Sequence, residues 1–149
     1  MTLTEIFWVI VALATIAPVF YVNRRLYTAS GPGTSGLEVV YYLFALAGLF
    51  CGWYFNFAYF REYGAEAGWW HWTQLLFANS AAASGAQDLI IANVFLFPLW
   101  TIYEGRRNKV KIAWWYFPLS VFTSFAFAMA LFLAVQDRQV RATAAAGRA

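Results

Sequence analysis

Apolar residues in this chain neither alternate nor recur on one face. They come in four long runs, 5–22, 37–60, 81–103 and 113–135. The runs close on polar clusters: Asn23-Arg24-Arg25, Arg61-Glu62, Glu104-Gly105-Arg106-Arg107 and Gln136-Asp137-Arg138. Each is near the roughly 20 residues that carry a helix across about 30 Å of hydrocarbon. Backbone in lipid must satisfy its own hydrogen bonds, so the runs predict helices, and they lack the two-residue alternation of a barrel strand. The expected fold is therefore all-α, an integral membrane four-helix bundle forming a single domain over residues 1–149.

Between the second and third runs lies a segment too short to cross, with Trp69-Trp70-His71-Trp72 followed by Gln74-Leu75-Leu76-Phe77. Trp69, Trp72, Thr73, Leu76 and Phe77 share one helical face, which predicts a short helix lying in the interface. Asn79-Ser80 is placed to cap the third span. Pro98 removes the hydrogen bond to the Val94 carbonyl and predicts a bend there. The stretch 28–36, with Ser30-Gly31-Pro32-Gly33, reads as a flexible loop, and the tail 139–149 as a frayed end.

Composition sharpens this picture. The 149 residues are 62% hydrophobic and 11% charged, far below the roughly one quarter charged of a soluble domain. The net charge of +3 sits in loops and not on a stripe, so nucleic acid is excluded as a partner. Arg24, Arg25, Arg106, Arg107, Lys109 and Lys111 fall in loops 23–36 and 104–112, against Arg61, Arg138 and Arg141 at the other helix ends. The positive-inside rule makes those loops cytoplasmic and both termini external. The N-terminus lacks a basic region before its first apolar run, so no cleaved signal peptide is expected. Cys51 is the single cysteine and reads as an inert small residue.

Helices in lipid approach closely only where side chains are small. Gly48 and Gly52 form a G-x-x-x-G pair, the third span opens on Ala81-Ala82-Ala83-Ser84-Gly85-Ala86, and Ala126, Ala130 and Ala134 recur on the fourth. Packing of the second span on the third through Gly48, Gly52 and Gly85 is the expectation. Homodimerisation through Gly48 and Gly52 is its rival.

Asp88 lies eight residues into the third run, about 12 Å along the helix. A carboxyl group at that depth must be protonated, paired or turned to a polar cavity. Antiparallel packing would set it beside Asn56 and Ser84, with Gln87, Asn93 and Asn79 nearby. The group reads either as a hydrogen-bonded lock or as a ligand, proton or catalytic site with Asp88 as its acid. His71, the single histidine, reads as structural. No metal site, phosphate loop or nucleophilic triad is present, and no cofactor is identifiable.

Four segments carry a resemblance: Leu76-Phe77-Ala78-Asn79, Gln87-Asp88-Leu89-Ile90, Glu104-Gly105-Arg106-Arg107 and Leu131-Phe132-Leu133-Ala134 with Arg138. Over about 39–139 the chain resembles the bacterial membrane family catalogued as domain of unknown function 2834. The resemblance implies a bacterial inner-membrane, multi-pass protein in which Asn79, Asp88, Glu104, Arg106 and Arg107 are marked positions. It implies three spans, so the run 5–22 is an addition, and Ala130 stands where members carry proline. It implies no activity.

Three functions fit these residues. The aromatic excess and the shortage of catalytic groups favour a binding or accessory membrane protein that holds a lipophilic molecule (quinone, carotenoid or lipid) or a partner subunit. The alternative is a membrane-embedded enzyme on an isoprenoid or similar lipid, with Asp88 as general acid. The third is a small transporter with Asp88 as proton carrier.

Overall fold

The computed structural model describes residues 2–28 and 31–147, so Ser30 and the last two residues of the tail lie outside the described residues. Everything described is helix, turn or loop. Helix α1, Leu3–Asn23, starts on a capping box in which Thr2 and Glu5 bond reciprocally. Helix α2, Gly36–Tyr63, starts on Ser35, and helix α3, Trp69–Leu76, follows a tight turn. Helix α4, Ser80–Ile90, passes through one π-helical stretch, Ile91–Leu96, into α5, Phe97–Asn108. Three stretches are long and apolar enough to cross a membrane: Leu3–Tyr27, Gly36–Glu66 and Ser80–Asn108.

The fourth run departs from expectation. It is not one crossing helix but two, α6 (Tyr116–Phe122) and α7 (Phe125–Ala146), broken at Thr123. The contacts give their directions. Along α6, Ala113 lies against Gly105, the Trp115 indole donates to the Thr15 carbonyl, and Phe122 stacks on Trp8. Along α7, Ser124 meets Gly52, Phe127 meets Gly48, and Arg138 reaches Glu38. The chain thus climbs from the 109–115 loop, turns at Thr123-Ser124 and returns to the end it left. Tyr116 packing edge-on against Phe132 closes this helical hairpin. Its turn is self-satisfied: the Thr123 hydroxyl donates to the Leu119 carbonyl and Ser124 caps α7. A break satisfied in this way is compatible with apolar surroundings.

The return moves Arg138 and Arg141 to the end that holds Arg24, Arg25, Arg106, Arg107, Lys109 and Lys111. Among the described residues only Arg61 remains at the opposite, aromatic end, where it pairs with Glu5 at 2.7 Å. The expectation that Arg138 and Arg141 lie opposite the basic loops is corrected. Of the tail expected to fray, the described part is helical to Ala146, with Arg141 held by Asp137 and Glu38.

Those pairs form a lock at the basic end. Glu38, 0% exposed, forms an ion pair with Arg138, 8% exposed, at 2.7 Å, and another with Arg141. Arg138 donates to the Leu26 carbonyl and to Thr34 and lies over the Tyr27 ring. Arg141 pairs with Asp137, which accepts from Ser35. Burial works against the Arg141 charge, but hydrogen bonds to Asp137 and Glu38 outweigh it and raise its pKa. Arg141 also donates to the Gly33 carbonyl, so the described part of the 28–36 loop is tied down rather than loose.

The glycine pair likewise has another partner than expected. A Cβ on Gly48 would meet the Phe127 nitrogen at 2.8 Å, and one on Gly52 the Ser124 Cβ at 2.9 Å. The seam of α2 is therefore filled by α7 of the same chain, and the Ser124 hydroxyl donates to the Gly48 carbonyl. Gly85 meets nothing within 4 Å, so it packs neither on α2 nor on anything else described. A homodimer through Gly48 and Gly52 would have to displace α7 from this seam.

Candidate functional site

A hairpin that turns midway fills only the basic half of the bundle. Beyond its tip the three long helices line a partly open cavity of about 500 Å³. Its floor is the hairpin turn, residues 120–126. Helix α2 contributes Gly52, Trp53, Asn56, Phe57, Tyr59 and Phe60, and α1 contributes Trp8. The third wall is Leu89, Ile90, Asn93 and Val94, and Gly68, Trp69 and Trp72 come from the start of α3.

Each wall has a local cause. The π-helical stretch sits immediately before Pro98, whose missing N–H leaves the α-helical ladder unable to continue there. The expected bend is thus realised as an added residue in the turn, and the Phe97 N–H bonds back to the Ala92 carbonyl. Asn93 lies within this stretch, with its side-chain oxygen 2.7 Å from the Ser120 hydroxyl of α6. Helix α3 is fastened by Tyr59: its hydroxyl donates to the Gly68 carbonyl, accepts from the Gly68 N–H and meets His71 Nδ1 at 3.1 Å. Tyr63 packs edge-on against the same imidazole. His71 has the structural part expected of it. Trp8 stacks between Phe60 and Phe122 and closes the α1 side.

The expected polar cluster is divided. Asn56 and Asn93 line the cavity, whereas Asn79, Ser84, Gln87 and Asp88 do not. Asp88 is exposed, and its nearest partner is the Gln87 amide at 2.6 Å. The expectation that it meets Asn56 and Ser84 rested on α4 packing against α2, and α7 occupies that place. Asn79 caps α4 by accepting from the Ala82 N–H. Glu104 bonds Arg107, Asn108 and Gln136 and so ties α5 to α7. Gly105 beside it has a geometric reason, since a Cβ there would collide with the Ala113 Cβ. Arg106 is exposed at the basic end. No group of carboxylate, imidazole and thiol side chains suited to a metal occurs among the described residues.

Sequence reasoning missed the aromatic walls from Trp8 and Trp53, the Ser120 contact, and Glu38. A signal for Glu38 existed: it is a carboxylate at the second position of an apolar run. Ser120 carried no signal, because its partner depends on the hairpin.

No curated protein and no solved structure matches this chain. The family model described as protein of unknown function DUF2834 matches residues 40–138, which takes in α2 from its second turn, every lining residue of the cavity except Trp8, and the hairpin as far as Arg138. With two thirds of its length matched, the chain belongs to that family, and α1 lies outside the matched segment.

Proposed function

We propose that this protein binds a lipophilic small molecule in the cavity beyond the hairpin tip, within a bacterial inner membrane. In this reading three helices cross the bilayer, and α6–α7 enters and leaves at the basic end. Helix α3 lies in the opposite interface, and the basic end is cytoplasmic. The observation that carries the reading is the cavity itself, of a size and aromatic lining usual for small-molecule sites, with a few convergent polar groups. It supports binding over acid–base chemistry because Asp88 lies outside it.

Solvent extraction of the detergent-purified protein, followed by absorption and mass spectrometry, tests the reading. A lipophile should accompany the wild type and be lost from Leu89→Trp, which fills the cavity. An equal yield from both would overturn it. The topology is tested in a Cys51→Ser background with an impermeant thiol reagent. Asn108→Cys and Thr143→Cys should label from one side and Gly68→Cys from the other. Shared sidedness of Thr143→Cys and Gly68→Cys would overturn the hairpin.

A second reading, an accessory subunit, is favoured by the face of α4 that carries Ala81, Ser84, Gly85 and Asp88. All four are exposed, and small and polar residues in lipid ordinarily face another helix. A photo-crosslinker at position 85 should capture a partner helix, and capture of lipid alone would reject this reading.

A further inference from the structure

The geometry points to an uncharged occupant: the cavity takes a lipophile with a neutral hydrogen-bonding head and excludes ionised lipids. This inference rests on the binding reading above and specifies its ligand. Among the described residues that line the cavity there is no carboxylate, guanidinium, ammonium or imidazole group. The polar groups present are amides, hydroxyls and the indole N–H groups of Trp8, Trp53, Trp69 and Trp72, all of them neutral, and most of the hydroxyls are already engaged. Ser124 donates to the Gly48 carbonyl and caps α7, Thr123 donates to the Leu119 carbonyl, and Tyr59 is held by Gly68 and His71. Beside the indole donors, the Asn56 amide and the half of the Asn93 amide that Ser120 does not use remain to receive a head group. An amide offers both donor and acceptor, so it serves a hydroxyl or a carbonyl equally.

A charged head would lose its hydration here with no opposite charge to replace it, which is the costliest form of burial. The protein's charges are elsewhere. Glu38, Asp137, Arg138 and Arg141 neutralise one another at the basic end, and Glu5 pairs with Arg61. Phospholipid headgroups, the commonest ionised groups around such a protein, are therefore rejected, and a neutral minor lipid is selected. The aromatic side chains Trp53, Trp69 and Trp72 suit its apolar body.

Native mass spectrometry of the full-length protein in detergent tests this with four probes of one chain length. Hexadecanol has a neutral head and hexadecane has none. Hexadecyl sulfate and hexadecyltrimethylammonium carry charges that no proton transfer removes. Hexadecanol is expected to occupy the protein roughly tenfold or more above either charged probe. Its advantage over hexadecane should vanish in Asn56→Leu, whose exposed position keeps the fold intact, and in Asn93→Leu. Equal occupancy by charged and neutral probes, all lost in Leu89→Trp, would overturn the neutral-head inference and leave the cavity reading standing. Retention of no probe, or retention undiminished by Leu89→Trp, would overturn the binding reading itself.

Discussion

The two halves of this bundle solve opposite problems with the same helices. At the basic end the α6–α7 hairpin fills the space between the long helices, so Tyr116, Leu119, Leu131 and Phe132 are fully buried. The charges of the lock are held inside it and matched, with Glu38 against Arg138 and Arg141. At the aromatic end the hairpin is absent, the space is open, and the only polar groups facing it are neutral. The difference shows what a helix that turns back achieves: one half becomes a rigid foot and the other a vessel. Since the vessel's floor is the hairpin turn, its shape depends on how firmly the foot holds α7.

The lock should therefore be the costliest feature to break. Glu38→Ala leaves the almost wholly buried Arg138 without its carboxylate and leaves Arg141 with Asp137 alone. Removing one partner of a buried pair costs about 3–5 kcal/mol. The thermal midpoint in detergent should fall steeply, and ligand content should fall with it because α7 carries the cavity floor. The double variant Glu38→Met with Arg138→Met should recover much of the loss, since no lone charge remains. A Glu38→Ala protein as stable as the wild type would mean that the foot does not hold the hairpin.

Glycine substitution gives a smaller effect and separates the two helix faces. Gly48→Ala puts a methyl group against the Phe127 backbone, and overpacking of this kind costs about 1–3 kcal/mol. Gly85→Ala meets nothing, so the better helix propensity of alanine should leave stability unchanged or raise it by up to about 1 kcal/mol. Urea or thermal unfolding in the same detergent compares them directly. A reversed order, with Gly85→Ala the more damaging, would place the essential packing on α4 and not on α7.

The long helices were legible because a membrane demands an unbroken apolar run, and that demand is visible in any one sequence. The short α3 was legible by the same logic, being too brief to cross and too aromatic for water. The hairpin was hidden because the run 113–135 has the length and composition of a crossing helix. Its one sequence mark is Thr123-Ser124 ahead of Phe125, a helix-starting pair in the middle of the run. It reads as an N-cap only once a break is suspected. The G-x-x-x-G pair announced a close contact but not its partner, since small residues state how near a neighbour comes and not which one it is. Asn56 and Asn93 were identified as polar groups of interest, and they do line the cavity. Asp88 was weighted above them on depth alone, and depth does not determine which way a helix is rotated.

That rotation makes the smallest expected effect the most informative about Asp88. It is exposed on α4, bonds only its neighbour Gln87 among the described residues, and belongs to neither the foot nor the vessel. Asp88→Asn preserves shape and hydrogen bonding while removing the titratable proton. In purified protein, the melting midpoint and the amount of lipophile extracted should both match the wild type. If extracted lipophile falls while the midpoint holds, the carboxyl group reaches the cavity and the acid–base alternative regains its basis. If both hold in detergent but a crosslink from position 85 is lost in membranes, Asp88 meets a partner helix, and the accessory-subunit reading gains its first specific contact. A drop in the midpoint alone would place Asp88 in a packing contact of the isolated chain, contrary to its exposure, and would require α4 to be turned toward the bundle.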